Sequence, residues 1–251
     1  MNTPILLAGH SHVYSLGVPA NKKDSNFLLC SLLHPTRLFQ ALAGPTSRDS
    51  RYWASLGIFG QSSVVALFWG GNEHLSHYLF ATSEPFDLVN STAPHLPVDP
   101  SVEIIPETVF IEQFFPKKSQ ALGELLTWLT GLNIRVIICG TPPPKNDDEF
   151  IRHHIRNELK GIKTYTKLHF NHETAHFTPP LIRYKLWLAL QKGLSDTAKA
   201  HDLLFFPVPA ITQDMHGFLR REYWSNDISH GNAAYGDIIK NELYEFIRQN
   251  S

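Results

Sequence analysis

TPILLAGHSH (Thr3–His12) decides how the rest of the chain is read. Ile5 to Ala8 run without alternation into Gly9 and then into polar residues. A strand that is apolar or small at every position is covered on both faces, which is the condition of a strand inside a parallel sheet. Glycine at its carboxyl end permits a sharp turn, so Ser11 and its flanking histidines are expected in the loop just beyond. Further runs of the same character are Phe27–Leu33, Val64–Trp69, Ile134–Cys139 and Leu203–Val208. Between them the apolar residues recur every three to four positions. Ser119–Leu132 carries Leu122, Leu125, Leu126 and Leu129, and Leu181–Ala200 carries Leu186, Leu188, Leu190 and Leu194. Ala233–Ile247 places Ile238, Ile239, Leu243 and Ile247 on one stripe. That spacing marks the buried face of a helix. Strands alternating with helices predict an α/β fold, an open doubly wound and mainly parallel five-stranded sheet flanked by helices. In such sheets ligands bind beyond the carboxyl ends of the strands, so functional residues are expected in the loops that follow them.

The 251 residues suffice for one well-buried core, and residues 1–251 are read as a single domain. A net charge of −1, without long runs of like charge, gives no electrostatic reason to expect nucleic acid or an anionic membrane as partner. No run of about eighteen apolar residues is present to cross a bilayer, and the first residues lack the pattern of a secretory signal. Cys30 and Cys139 both sit in apolar runs and read as buried thiols rather than a disulfide. The cytoplasm is therefore the expected compartment. Oligomeric state leaves no mark in the sequence. Two long connections, about 73–116 and 141–180, break the rule of short loops, and the second opens with the rigid TPPPKNDD. Both are expected as substrate-facing insertions rather than a second domain.

Three loops carry residues suited to chemistry. GHSH (Gly9–His12) follows the first strand, FWGGNEH (Phe68–His74) ends the third, and WSNDISHGNAAYG (Trp224–Gly236) precedes the last helix. Taken singly, they read as a helix cap, a turn and another cap. Taken together, the order Ser11, Asn72, Asp227-x-x-His230 resembles the SGNH (GDSL-type) hydrolase superfamily. EPFDLV (Glu84–Val89), VEIIP (Val102–Pro106) and the closing GFLRREYWSNDISHGNAAYG are similar to one bacterial branch of it.

The resemblance implies a flavodoxin-like fold and a metal-independent serine esterase without cofactor. Ser11 would be the nucleophile, which needs a base because a serine hydroxyl is weak at its free pKa. His230 would be that base and Asp227 would fix its tautomer and stabilise its charged form. The oxyanion would be held by the Ser11 N–H, the Asn72 side-chain amide and the N–H of Gly44. Glu73 and His74 would line the substrate pocket, and His10 and His12 would either line it or serve as hydrogen-bonded packing residues beside the turn. The substrate implied is an O-acyl ester, acetyl above all, of a carbohydrate or other small molecule. Acyl transfer to a sugar hydroxyl and a non-catalytic carbohydrate-binding role are the alternatives. One departure stands out: His10 occupies the place where the superfamily's name motif, Gly-Asp-Ser, has aspartate.

A competing pattern is HETAH (His172–His176), the H-E-x-x-H spacing of zinc hydrolases, which works when both histidines share one helix face. The following Phe177-Thr178-Pro179-Pro180 would end such a helix at once. A polar segment of the second insertion, with His169, His172 or His176 near substrate, is the reading preferred. Tyr78, Phe80, Phe86 and Tyr165 in the insertions would stack on a sugar ring or pack the insertions down.

Overall fold

The computed structural model describes residues 3–18, 28–36, 38–43, 50–114, 116–159 and 175–251. The strands in chain order are β1 (Ile5–Gly9), β2 (Leu28–Ser31), β3 (Phe39–Ala43), β4 (Val64–Phe68), β5 (Phe86–Asp87), β6 (Glu103–Ile104), β7 (Arg135–Cys139) and β8 (Leu204–Phe206). Six form one sheet in the order β2-β3-β1-β4-β7-β8, and β5 pairs with β6 separately. The strands β3, β1, β4, β7 and β8 are parallel, while β2 runs antiparallel to β3 at the edge.

The α/β sheet is of the expected doubly wound kind, but it has six strands in place of five. The run around residues 28–31 is not the second parallel strand but the antiparallel edge, and β3 takes that inner position. Its sequence, FQALA, contains Gln40 and two alanines, so it lacks the continuous large-apolar signature. Gln40 is tolerated because β3 has only the edge strand outside it, and the glutamine stays half-buried.

Burial on both faces explains the unbroken apolar runs. Every residue of β1 and β4 is buried. Leu6, Ala8, Val65, Leu67, Val136 and Ile138 face one core. Against it pack Leu56 of helix α1 (Ser50–Phe59), Leu126 of α4 (Pro116–Gly131) and Leu190 of α6 (Pro180–Ala200). Ile5, Leu7, Ala66, Phe68, Ile137 and Cys139 face the other core, covered by Ile239, Leu243 and Ile247 of α7 (Ala233–Gln249). Both cysteines are free thiols.

The first insertion has structure of its own: α2 (Glu73–Tyr78), β5, β6 and α3 (Glu107–Phe114). Its aromatics pack on one another. Tyr78, Phe86 and Phe110 lie with ring centroids 5.3–5.6 Å apart, and Phe80 stacks on Phe177. Asp87, within the EPFDLV motif, pairs with buried Lys185 of α6 at 2.5 Å and accepts the N–H groups of Leu88 and Asp99. A buried ion pair with its remaining valences filled fixes the insertion to the scaffold, and removing one partner of such a pair strands the other. The second insertion opens with the 141–147 loop and α5 (Asp148–Leu159). Among the described residues no helix is long and apolar enough to cross a membrane.

Helix α7 does more than cover the sheet. Its backbone at Gly236 lies against a short 3-10 turn, Ser11–Leu16, that follows β1. A Cβ on Gly236 would come within 1.7 Å of the Ser15 carbonyl oxygen, a backbone atom unable to move aside alone. Gly236→Ala is therefore expected to destabilise the protein by about 1–3 kcal/mol or more. Urea unfolding of the purified variant measures this, and an unchanged midpoint would contradict the contact.

Candidate active site

The turn after β1 is held from both sides. The Gly9 N–H donates to the Tyr52 hydroxyl at 2.8 Å and the His10 N–H to the Phe68 carbonyl at 2.9 Å. The chain then enters the 3-10 turn, which places Ser11 at its first position, beyond the carboxyl end of β1.

His230 arrives from the opposite end of the chain. The Asn232 side chain caps α7 by accepting the Tyr235 N–H at 3.1 Å, which fixes where the helix starts. Before it, residues 225–230 form a closed loop. The Ser225 hydroxyl donates to the His230 carbonyl at 2.7 Å. Asp227 Oδ1 accepts the N–H groups of Ser229 and His230 at 2.8 and 2.7 Å. Its Oδ2 lies 2.9 Å from His230 Nδ1. A carboxylate at Nδ1 selects the tautomer with the proton there, leaving Nε2 as an acceptor. That nitrogen lies 2.7 Å from Ser11 Oγ. Burial alone would raise the Asp227 carboxyl, but the hydrogen bonds and charge of His230, with the N–H groups of His230 and Ser229, outweigh it. They hold the group well below the usual carboxylate range.

The loop after β4 lies beside the Ser11 turn. Gly70 and Gly71 have φ of 66° and 117°. The Gly70 N–H donates to His10 Nδ1 at 3.0 Å and the Gly71 N–H to Glu73 Oε2 at 2.7 Å. His10 thus supports this loop as an acceptor, with its ring beside Trp69 and Trp53 at 4.8 and 5.5 Å. His12, the neighbour of Ser11, is buried with its ring 4.8 Å from that of His230. Its Nε2 would stand 2.4 Å from a Cβ on Gly71, the neighbour of Asn72. The Ser11 turn and the Asn72 loop therefore meet through His12. Burial above all, then the neighbouring His230, keeps the His12 imidazole neutral, far below its ordinary range.

Not every expected pocket residue faces a pocket. Glu73 is 3% exposed, His74 1% and His12 3%, so these three support the loops from within instead of lining the surface. Their polar character hid this, because buried glutamate and histidine are uncommon in sequence-based expectation. Burial drives His74 down to about 3, so it too is neutral. Gly44, His169, Tyr165, His172 and Glu173 lie outside the described residues. At the end of HETAH, Ala175 and His176 are not helical, and the His176 carbonyl accepts the Ala81 N–H at 2.9 Å. Among the described residues no three metal-binding side chains gather.

Ser11, Tyr14, Ser15, Ser225, Asp227 and His230 border a groove of about 420 Å³. A second cavity of about 460 Å³, walled by Phe86, Val98, Val102, Pro179 and Ile182, lies between the first insertion and the start of α6. The hydroxyl–imidazole–carboxylate line opens on the first of these, which makes it the candidate active site.

Sequence reasoning missed Lys145. From the TPPPKNDD loop its buried Nζ donates to the carbonyls of Ser225 and Asp227 at 2.9 and 2.5 Å and stands 3.7 Å from Asp227 Oδ1. The prolines before it signal a rigid delivery, but no spacing connects residue 145 with residue 227.

Solved structures share this fold. A GDSL-like lipase from Bacteroides thetaiotaomicron matches with a TM-score of 0.50 at 11% identity, over 100% of this chain and 90% of its own. A catalytic mutant of Axe2, an acetylxylan esterase from Geobacillus stearothermophilus, matches with a TM-score of 0.51 at 10% identity, over 97% and 93%. No family model matches the chain, and a search of curated proteins found no match. The fold is thus one found among GDSL-like and acetylxylan esterases, in keeping with the SGNH resemblance.

Gly71→Ala combines a left-handed backbone with the His12 collision and is expected to cost about 1–3 kcal/mol. Shortening the neighbour, in His12→Ala/Gly71→Ala, should return part of that cost relative to the sum of the single variants. Denaturant unfolding of the three variants tests the shared contact, and strict additivity would deny it.

Proposed function

We propose that the protein is a serine esterase of SGNH type that hydrolyses an O-acyl ester, acetyl above all, of a carbohydrate or other small molecule. The observation that carries this reading is the continuous line Asp227–His230–Ser11, with His230 Nε2 at 2.7 Å from Ser11 Oγ. A hydroxyl at that distance can lose its proton to the imidazole as it attacks an ester carbonyl. The Ser11 oxygen bonds to the carbonyl carbon while the carbonyl π pair moves onto oxygen. The Asn72 amide and the Ser11 N–H are assigned to stabilise that oxyanion. When it collapses, the alcohol departs with the proton from His230, leaving acyl-Ser11. Water then attacks, giving its proton to His230, and release of the acid returns that proton to Ser11 Oγ. Asp227 stays anionic throughout and stabilises the transient imidazolium. The ester-cleaving neighbours of like fold support the reaction class, and one of them is described as acting on acetylxylan.

Fluorophosphonate labelling and hydrolysis of p-nitrophenyl acetate test the reading. The native protein should label and turn over, Ser11→Ala should do neither, and Asn72→Ala should lose about 100- to 1000-fold in kcat. Full esterase activity in Ser11→Ala would end the proposal.

The pH profile follows from the fixed partners. Asp227 is held anionic and His12 neutral across the mildly acidic range. One proton, that of the His230–Ser11 pair, should then govern kcat/KM, which is expected to fall with unit slope as pH decreases. The depressed Asp227 carboxyl also contributes stability above about pH 4 that is lost as pH falls further. A slope of two would show a second group titrating with the base.

A further inference from the structure

The connection that opens the second insertion is unusually well fixed. Thr141 is held to α6 by its N–H to Gln191 Oε1 at 3.2 Å, by Gln191 Nε2 to its hydroxyl at 3.1 Å, and by Trp187 Nε1 to its carbonyl at 3.0 Å. Three prolines follow, and the Pro144 carbonyl accepts the Leu219 N–H at 3.2 Å. This rigid arm ends in Lys145, whose side chain is wholly inaccessible. The ammonium donates to the carbonyls of Ser225 and Asp227, so it grips the backbone on both sides of Asn226. Phe150 and Trp224 rings lie 5.1 and 5.7 Å from it.

Burying an ammonium costs several kcal/mol even when it is paired. Two carbonyls would be served as well by a neutral amide. What the positive charge adds is its field, 3.7 Å from the carboxylate that faces His230. Other charged and titratable groups among the described residues lie near this pair. His12 packs on His230 from the 3-10 turn and is neutral, while Tyr14 borders the same groove. Arg221 covers Trp224 and Phe150 from outside but is paired with Asp147 at 2.5 Å. Lys145 is thus a buried cation that both touches the acid–base loop and lies beside Asp227.

We propose that Lys145 is a positioning residue for the ester hydrolysis: it clamps the loop that carries Asp227 and His230, and its charge weakens the hold of that pair on a proton. The inference rests on the esterase reading above. The second insertion thereby acts on the chemistry through its first residues. By offsetting part of the Asp227 field, Lys145 makes the imidazolium easier to discharge onto the departing alcohol, while the grip on two carbonyls keeps Nε2 aimed at Ser11.

Lys145→Met removes charge and clamp at similar length, and Lys145→Gln keeps a donor without charge. With p-nitrophenyl acetate as substrate, Lys145→Met should lose about 10- to 100-fold in kcat with KM within about twofold of native, because aim matters most in the transition state. Lys145→Gln should recover part of kcat. In both, loss of a nearby positive charge favours protonated His230, so the low-pH limb of kcat/KM should move up by about half a unit to one unit. A purely structural role would lower kcat and thermal stability together and leave the limb in place, and that result overturns the proposal. Should Lys145→Met not fold, Lys145→Gln alone carries the pH measurement. If the native protein neither labels at Ser11 nor cleaves the ester, the esterase reading itself fails and this proposal falls with it.

Discussion

The backbone of α7 at Gly236 touches the Ser15 carbonyl, and the geometry of the candidate site hangs on that contact. Ser11 and His230 are 219 residues apart in sequence and 2.7 Å apart in space. Two backbones pressed together without a side chain between them leave little slack, since packed interiors deform poorly. The helix start is fixed by the Asn232 cap and its far side is buried through Ile239, Leu243 and Ile247. The central sheet therefore sets the position of the turn from below, and α7 sets the position of the base from the side. Neither end of the chain provides the constellation alone.

Around this frame the site concentrates costs that an ordinary core avoids. Among the described residues, neither ring nitrogen of buried His12 or His74 has a hydrogen-bond partner, nor does the Asn72 amide oxygen. A buried polar atom left unpaired costs about 1–3 kcal/mol. These atoms gather on either side of the Gly70–Asn72 loop, whose two glycines already hold left-handed conformations. A fold that tolerates these local penalties side by side is spending stability where position matters, the pattern expected of functional sites. Lys145 follows the same logic with charge in place of an unpaired dipole.

How much was legible in the sequence depends on how local the signal is. The strands β1, β4 and β7 were readable because burial on both faces forces an unbroken apolar run. The helices α4, α6 and α7 were readable from their stripes. The strand β3 was not, since Gln40 and the small alanines are permitted by a near-edge position that only the tertiary structure defines. Ser11, Asn72, Asp227 and His230 were found as a set through order and context, and the structure brings the serine, histidine and aspartate into hydrogen-bond contact. Glu73, His12 and His74 read as pocket-lining, because polar residues in a loop beyond a strand are usually exposed there. Lys145 left no trace, because the carbonyls of Ser225 and Asp227 that it grips are main-chain groups, which every residue possesses. Aromatics in the first insertion left two readings open, a sugar platform or packing of the insertion. Tyr78, Phe80 and Phe86 have the composition of a sugar platform and instead pack on Phe110 and Phe177.

His10 shows why a motif can lose its carboxylate and keep its geometry. The task at that position is to accept the Gly70 N–H, and a neutral imidazole does this with Nδ1 as an aspartate would with one oxygen. The ring also packs beside Trp69 and Trp53, which a short carboxylate could not reach. The electrostatic consequence is larger than the steric one. An aspartate here would place a negative charge against the loop assigned to stabilise a developing oxyanion, and like charges at short range in a poorly solvated site oppose each other strongly. With histidine, one of the two glycine N–H groups is accepted by a neutral ring and the other by Glu73. The substitution thus preserves support of the loop while removing a charge from behind Asn72. Histidine at this position thus keeps the Gly70 N–H accepted and leaves a less negative field beside Asn72 than an aspartate would.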